Sequence, residues 1–201
     1  MGRRSDAKQR LLDAAIELIW ERSYGVVTID AICAKAGVKK GSFYYFFESK
    51  SALAVAALEA NWVENVKPKW DDLFSASRPP LERIRHFFQH SYENQLALVA
   101  EYGCVLGCPC FSIGSEISTQ DETIRSTVND ILQRQIRYFE STIRDAQAEG
   151  LVPAGDAASK ARCLFALFEG TMGQARIQND PAILRTLGDS ALDLLAVRSI
   201  A

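Results

Sequence analysis

Several features are missing from this 201-residue sequence, and each absence excludes a class of protein. No run of about 18 apolar residues is present, so no membrane-spanning helix is predicted. The first residues, MGRRSDAKQRLLDAAIEL, lack the apolar centre and cleavage site of a secretory signal peptide, and we expect a cytoplasmic protein. No phosphate-binding loop, cofactor fingerprint or nucleophile–base set is present. We therefore expect neither an enzyme nor a cofactor, and a helical enzyme is a distant alternative.

Possible metal ligands are equally few. The two histidines, His86 and His90, lie four residues apart and would share one face of a helix. Such a pair can hold a metal ion, but neither an HExxH sequence nor a third ligand at a fixed spacing accompanies it. We predict no metal site and expect the pair to make a polar contact in a pocket or to face solvent.

Strand patterns are also missing, because apolar residues recur at helical spacing and Gly and Pro fall between the periodic segments. We predict an all-α fold of about nine helices, in which a three-helix head is joined by a long helix to a larger helical body. The long helix is expected to kink at Pro68. The predicted helices cover about residues 5–22, 28–36, 40–46, 49–75, 81–106, 112–118, 121–149, 157–178 and 181–198.

Charge is distributed unevenly between the two predicted parts. Residues 1–50 hold nine Lys or Arg and six Asp or Glu, a net charge of +3, whereas residues 51–201 hold 14 and 19, a net charge of −5. A basic head on an acidic body suits a protein with one end facing nucleic acid. An asymmetry of this size is common by chance, so it supports the two predicted domains, 1–50 and 51–201, only together with a specific motif.

The segment Thr28–Leu53, TIDAICAKAGVKKGSFYYFFESKSAL, has the pattern of a helix-turn-helix. Thr28 is a good N-cap, and Gly37 suits a turn with positive φ. Phe43 and Phe47 lie four residues apart and would face inward. In a helix-turn-helix the second helix lies in the major groove of DNA while the first crosses the backbone. The spacing therefore predicts a DNA-binding head.

Residues suited to DNA cluster on and around the second helix of this motif. The helix N-terminus favours phosphate, tyrosine hydroxyls can donate to phosphate, and tyrosine rings can touch thymine methyl groups. Lys50 is expected to reach the DNA backbone, and Arg3 and Arg4 form a basic arm suited to the minor groove or to phosphates. Each residue alone would also fit a solvated helix end or partial burial. The candidates on the helix itself are Lys39, Lys40, Gly41, Ser42, Tyr44 and Tyr45.

At these residues the chain resembles the TetR family of bacterial transcriptional regulators, over about residues 8–54. The resemblance implies an all-α homodimer that binds a palindromic double-stranded DNA operator, usually as a repressor, and is released by a small molecule in its C-terminal domain. It also implies that Thr28 anchors its helix on a phosphate. The family usually has histidine where this chain has Phe46, which cannot donate to phosphate, so that contact is lost or replaced by packing.

The predicted body carries many large apolar side chains that could line a pocket for a small hydrophobic effector. Aromatic residues at helical spacing are more often core than pocket, and both interpretations stay open. The candidates for the pocket are Trp62, Phe87, His90, Tyr92, Phe111, Phe165 and Phe168.

The last two predicted helices carry the dimer hypothesis. Small residues along 157–178 would let helices approach closely, and two-fold pairing would set two recognition helices about one DNA turn apart. Alternatively, both helices simply cover the core of one chain. The candidates for the interface are Phe168, Thr171, Met172, Ala175, Leu187 and Leu194.

Cysteine occurs five times, and in a reducing compartment we expect these residues to be thiols. Cys104, Cys108 and Cys110 stand in GCVLGCPCF and could bind a thiophilic metal or sense oxidants, which is the alternative function for this chain. The resemblance to the TetR family favours a structural role, since a similar Gly-Cys-Pro segment followed by Gly-x-Glu packs a turn between two helices there. Cys33 and Cys163 fall on apolar helix faces and are expected in the core.

Overall fold

A computed structural model describes the backbone of residues 2–197 and the side chains of residues 6–197. This part of the chain is helical and contains no β-strand, which confirms the predicted fold class. Its ten α-helices become the nine predicted ones when the helical run from Lys50 to Leu73 is counted once. They are α1 (Gly2–Arg22), α2 (Ile29–Ala36), α3 (Lys40–Phe46), α4 (Lys50–Asn61), α5 (Lys67–Leu73), α6 (Pro80–Tyr102), α7 (Pro109–Ile117), α8 (Glu122–Ala148), α9 (Ala157–Gln178) and α10 (Leu187–Leu194).

The chain folds into two compact units. The first comprises the residues up to Pro68 together with Pro109–Leu132, and the second comprises Lys69–Cys108 together with the residues from Gln133 onward. The first unit therefore includes α7 and the beginning of α8 in addition to the predicted head. The predicted boundary at residue 50 stays a prediction. Among the described residues, no helix is both long and apolar enough to cross a membrane.

Helix α1 is the central element of the first unit, because its apolar residues recur every three or four positions. Leu11, Ala15, Leu18 and Ile19 are buried, and α1 packs against α2, α3, α4 and α7. Burying a Leu or Ile side chain contributes about 1.5–3 kcal/mol relative to leaving it in water. The three helices of the head are thus arranged around one apolar stripe.

The helical run from Lys50 to Leu73 contains a π-helical turn over Trp62–Val66, which separates α4 from α5. The prediction placed the irregularity at Pro68, and the structure places it just before that residue. A proline ring clashes with the carbonyl four residues earlier, here that of Glu64, and cannot donate to it. The π turn changes the hydrogen-bonding pattern where this clash would occur, so the chain stays helical through the proline.

The second unit is built around aromatic rings from α5, α6, α8 and α9. The ring centroids of Trp70 and Phe87 lie 4.8 Å apart, those of Phe87 and Phe168 lie 5.0 Å apart, and those of Phe139 and Phe165 lie 6.2 Å apart. Most of these pairs meet edge-to-face or tilted, the arrangements that aromatic quadrupoles favour. This aromatic core fixes the relative placement of the helices of the second unit.

Some helix ends differ from the prediction because of local backbone chemistry. Helix α6 ends at Tyr102 and not near residue 106, since Gly103 adopts a left-handed conformation with φ 75°. Helix α7 begins at Pro109, a residue suited to a first helical turn. The last predicted helix is divided into a 3-10 turn, Pro181–Leu184, and α10.

Candidate nucleic-acid interface

Helix α2 is capped at both ends. The amide of Ala31 donates to Oγ1 of Thr28 at 3.1 Å, which caps α2, and the hydroxyl retains its own hydrogen for another acceptor. Gly37 has φ 61° and ψ 38°, a left-handed conformation that a residue with a side chain adopts at a cost. Phe43 and Phe47 are buried, as predicted. These contacts hold α3 against the head by one face only.

The opposite face of α3 is exposed to solvent. Tyr44 and Tyr45 are 54% and 64% exposed, although their rings are large and partly apolar. We name this exposed face, with the residues that lead into it, the recognition surface. It consists of Lys39, Lys40, Gly41, Ser42, Tyr44 and Tyr45, all of which are exposed.

Within the recognition surface, Gly41 has no packing reason to be glycine. A Cβ atom placed at Gly41 would meet no atom of the described chain within 4 Å. Open space on this side of α3 leaves room for a partner to approach the backbone closely.

Two side chains of the head are already engaged within the chain. The ammonium of Lys40 lies 2.8 Å from Oδ1 of Asp30, and this hydrogen-bonded ion pair raises the pKa of Lys40. Phe46, which stands at the family's histidine position, is half-buried, and its ring meets that of Tyr45 edge-to-face at 4.9 Å. Packing thus takes the place of a polar contact at residue 46.

Lys50, predicted to contact the DNA backbone, also makes contacts within the chain. Its ammonium donates to the carbonyl oxygens of Tyr24 and Val27, both at 2.9 Å, and lies 4.1 Å from the centre of the Tyr24 ring. Burial lowers the pKa of Lys50, and the charge of Glu116 opposes that shift. An ammonium with these acceptors ties α4 to the segment between α1 and α2, and its contact with the DNA backbone stays a prediction. The side chains of Arg3 and Arg4 lie outside those that the structure describes.

The same segment between α1 and α2 is also held by Glu116 of α7, a residue that the sequence interpretation missed. Oε2 of Glu116 accepts from the amide of Tyr24 at 3.0 Å, and Oε1 accepts from the amide of Gly25 at 2.6 Å. We name the group Glu116, Tyr24, Gly25 and Lys50 the turn clamp. The Gly-x-Glu pattern was visible in the sequence, but the chain position that it contacts was not.

Comparison with known proteins decides the family. Residues 11–57 match the model described as bacterial regulatory proteins, tetR family, and residues 80–190 match the tetracyclin repressor-like C-terminal domain. The chain belongs to the TetR family.

Relatives with assigned roles are similar along most of their length. The chain is 28% identical to the transcriptional regulator AcuR of Cereibacter sphaeroides, over 90% of this chain and 84% of that protein. It is 26% identical to the transcriptional repressor NemR of Escherichia coli K12, over 86% and 85% of the two chains. A crystal structure of a regulatory protein TetR from Rhodobacter sphaeroides, 28% identical, superimposes with a TM-score of 0.83, covering 94% of this chain and 98% of that one. The protein is thus a DNA-binding transcriptional regulator, and its relatives confirm the expectation that it is not an enzyme.

The seven residues predicted for an effector pocket do not all belong to one unit of this TetR-family chain. Trp62 and Phe111 belong to the first unit and the other five to the second. The structure places the remaining three phenylalanines, Phe87, Phe165 and Phe168, in the aromatic core.

His90 and Tyr92 are half-buried. Burial lowers the pKa of His90, and the charge of Lys69 acts in the same direction. The Tyr92 hydroxyl accepts from the guanidinium of Arg185 at 3.4 Å. A separate groove of the second unit, with a volume of about 570 Å³, includes none of the seven predicted residues. Its walls are formed by Arg78, Glu82, Arg85, His86, Phe88, Gln89, Arg185, Gly188 and Asp189.

Most of the predicted dimer residues are core residues of the single chain. The side chains of Phe168, Met172, Ala175 and Leu187 are buried, so they have little surface left to offer a partner. Their assignment to an interface stays a prediction. Of the remaining two, Thr171 is half-buried and donates to the carbonyl of Leu167 at 2.8 Å, whereas Leu194 is 47% exposed.

The cysteines differ from one another in exposure. Cys33 and Cys110 are buried, Cys104 and Cys108 are half-buried, and Cys163 is exposed, contrary to the prediction of a core position. The buried stripe of α9 passes through other residues of the helix and leaves Cys163 outside it. In the described part of the chain, no group of three or more His, Cys, Asp or Glu side chains could hold a metal ion.

A buried carboxylate is the least expected feature of the second unit. Glu169 of α9 is 1% exposed, and burial raises its pKa to about 7, an effect that a contact from the Cys108 thiol partly offsets. The sequence offered no signal for this, because glutamate on a helix is usually solvated.

Proposed function

We propose that this TetR-family regulator is a repressor that binds a palindromic operator as a homodimer and is released by a small hydrophobic effector. The observation that carries the proposal is the recognition surface, where two tyrosines and two lysines stand exposed on α3 and at its N-cap, beside a glycine with open space around it. Neighbouring exposed aromatic rings of this kind mark an interaction surface, and the two lysines favour an anionic partner.

We propose distinct roles for the residues of this surface. Tyr44 and Tyr45 donate their hydroxyls to phosphates, and Lys39 and Lys40 neutralise phosphates or approach bases. Thr28 donates its hydroxyl hydrogen to a phosphate while its oxygen caps α2. Ser42 and the backbone at Gly41 then lie closest to the base edges. Arg3 and Arg4 complete the contact as a basic arm.

The dimer belongs to the same proposal. Ile177 of α9 and Leu194 of α10 are 85% and 47% exposed, and exposed apolar side chains on neighbouring helices favour a surface that a second copy covers. A two-fold pairing through these helices would present two recognition surfaces to the two half-sites of a palindrome.

Effector release requires that a ligand prefer one spacing of the two heads over another. We propose that the helical run from Lys50 to Leu73 transmits this preference through the tilt of α4 against α1, against which it packs. Lys50 ties the start of that run to the segment between α1 and α2, so a change in tilt reaches the head. The protein would work in the cytoplasm, where its operator is accessible.

A second candidate function is thiol sensing. The observation in its favour is the position of the half-buried Cys108 thiol beside the Glu169 carboxylate, which can accept the thiol proton. Treatment with N-ethylmaleimide would distinguish the two functions. Loss of operator binding in the natural protein, but not in Cys108→Ser, would favour the sensor over the ligand-released repressor.

The repressor proposal is tested with purified full-length protein and the palindromes found in the DNA next to its gene. We expect one palindrome to shift at protein concentrations where competitor DNA does not, with an affinity that falls steeply as salt rises. A titration in which no palindrome is bound more tightly than competitor DNA would reject the proposal.

A further inference from the structure

Three buried oxygen atoms in the second unit have no nitrogen or oxygen donor within hydrogen-bonding distance. They are the two carboxylate oxygens of Glu169 and Oε1 of Gln135. Among the described residues, these are the buried side-chain nitrogen and oxygen atoms for which no such donor is found. Glu169 is 1% exposed and Gln135 is 6% exposed. Buried acceptors are normally satisfied. The Cys108 thiol near Glu169 has a single hydrogen to donate to these three oxygens, so further donors are called for.

Gln135 of α8 and Glu169 of α9 stand at about the same height along the axes of these two helices, which we call the same level. The two helices are consecutive and joined by a short segment, and the rings of Phe139 on α8 and Phe165 on α9 lie 6.2 Å apart. Gln135 precedes Phe139 by one helical turn, and Glu169 follows Phe165 by one turn. Because consecutive helices with a short connection run antiparallel, both steps lead in the same direction, about 5.4 Å beyond the ring pair.

The surroundings of Glu169 combine aromatic rings with the polar segment Gly107–Cys108. Phe168 contacts the rings of Phe87, Phe88 and Phe165, with centroids 5.0, 6.0 and 6.1 Å away. The Cys108 thiol lies near Glu169, and the neighbouring amide of Gly107 already donates to Oε1 of Gln95 at 3.2 Å. A molecule placed here would meet aromatic rings along its body and oxygen acceptors at its end.

We propose that Glu169 and Gln135 form the polar end of the effector site and that the effector is a small, flat, mostly apolar molecule with hydrogen-bond donors at one end, of the aromatic amidine or amine class. This inference rests on the proposed ligand response. The donors of such a molecule satisfy all three oxygens, while its ring stacks against the phenylalanines. An anionic effector would be repelled by the carboxylate, and a hydrocarbon would leave the oxygens unpaired.

The proposed site can be tested by comparing the binding of two probe molecules that differ in charge. Benzamidine and benzoate have the same ring and nearly the same shape but opposite charge, so they isolate the effect of the carboxylate. We would measure the binding of each to the full-length protein by calorimetry and by the shift of the melting temperature. Benzamidine should bind and raise the melting temperature, and benzoate should do neither.

Two substitutions and one control locate the binding. Glu169→Gln keeps the size of the side chain and removes the charge, and we expect benzamidine to bind at least tenfold more weakly. Gln135→Leu removes the second acceptor and should weaken binding several-fold. Glu149→Gln removes the charge of an exposed glutamate in the same unit and should leave binding unchanged.

Three results would overturn the inference: no binding of benzamidine, equal binding by Glu169→Gln and the natural protein, or tighter binding of benzoate. Operator binding is measured on the same protein without any probe. Failure of operator binding with intact benzamidine binding would reject the repressor proposal alone. Failure of benzamidine binding with intact operator binding would reject the proposed site alone.

Discussion

Oε1 of Glu116 lies 2.6 Å from the amide nitrogen of Gly25, although the two residues are 91 positions apart along the chain. A Cβ atom on residue 25 would approach that oxygen to 2.7 Å, so the carboxylate occupies the place of a side chain. The segment between α1 and α2 is therefore ordered by α7 as well as by its own helices, and the DNA-binding head extends beyond the stretch that carries the helix-turn-helix.

Removing the Glu116 carboxylate should loosen the head. Glu116→Ala leaves the amides of Tyr24 and Gly25 without their acceptor, and we expect the free energy of unfolding to fall by about 1–2 kcal/mol in urea titrations. Ser115→Ala, next to it on the same helix, is the control and should change the value by less than about 0.5 kcal/mol. Equal effects of the two substitutions would show that the turn clamp contributes nothing specific.

Substitutions at Lys39 and Lys50 should differ in their effects on DNA binding and on stability. Lys50→Met loses hydrogen bonds to two carbonyl oxygens, and we expect a loss of about 1–3 kcal/mol in the free energy of unfolding. Lys39→Met should leave stability unchanged but weaken operator binding and reduce its salt slope by about 1. The measurements are urea unfolding and operator titration at several salt concentrations. If Lys39→Met left the salt slope unchanged, Lys39 would not be a phosphate contact.

Gly41→Ala tests whether DNA approaches the backbone of α3 closely at this residue. The added methyl group meets nothing in the described chain, and alanine favours a helix over glycine, so stability should stay the same or rise by up to about 1 kcal/mol. Operator affinity should nevertheless fall, by about tenfold if one contact is lost. Thermal unfolding and operator titration on the same sample give both values. Full operator affinity in this variant would mean that DNA does not approach the α3 backbone at this residue.

Stability should depend on pH through Glu169. Its pKa rises on folding from 4.5 to about 7, so the folded state binds the proton more tightly than the unfolded chain. The stabilisation is complete below about pH 4.5 and is lost as the pH rises through about 7, a change of about 3 kcal/mol. Glu169→Gln should therefore have a flatter stability profile and exceed the natural protein above neutral pH. Urea unfolding at about pH 5 and about pH 8, with Glu149→Gln as the control, measures the difference.

The sequence predicted best those elements whose ends are fixed by neighbouring residues. Helix α9 has the predicted bounds, residues 157–178. In the structure Asp156 caps its start, and Asn179 ends it in a left-handed conformation. The helix-turn-helix was predicted for the same reason, with Thr28 and Gly37 at its boundaries. Local chemistry of this kind depends on residues three or four positions apart, which a single sequence displays directly.

Contacts between residues far apart along the chain could not be predicted. The sequence does not show that the ammonium of Lys50 donates to two carbonyl oxygens more than twenty residues earlier. The aromatic residues of α9 could equally have lined a pocket or formed a core, since periodicity identifies a buried face but not what covers it. Glu169 looked like a surface residue for the same reason.

The π turn at Trp62–Val66 changes the direction in which the side chains after it project from the helix. A π turn accommodates one residue more than an α-turn, which rotates all following side chains by about 100° relative to an unbroken α-helix. Leu58, buried before the turn, and Trp70, buried after it, therefore need not belong to one apolar stripe. A single surplus residue lets one helical run contribute to two separately organised cores.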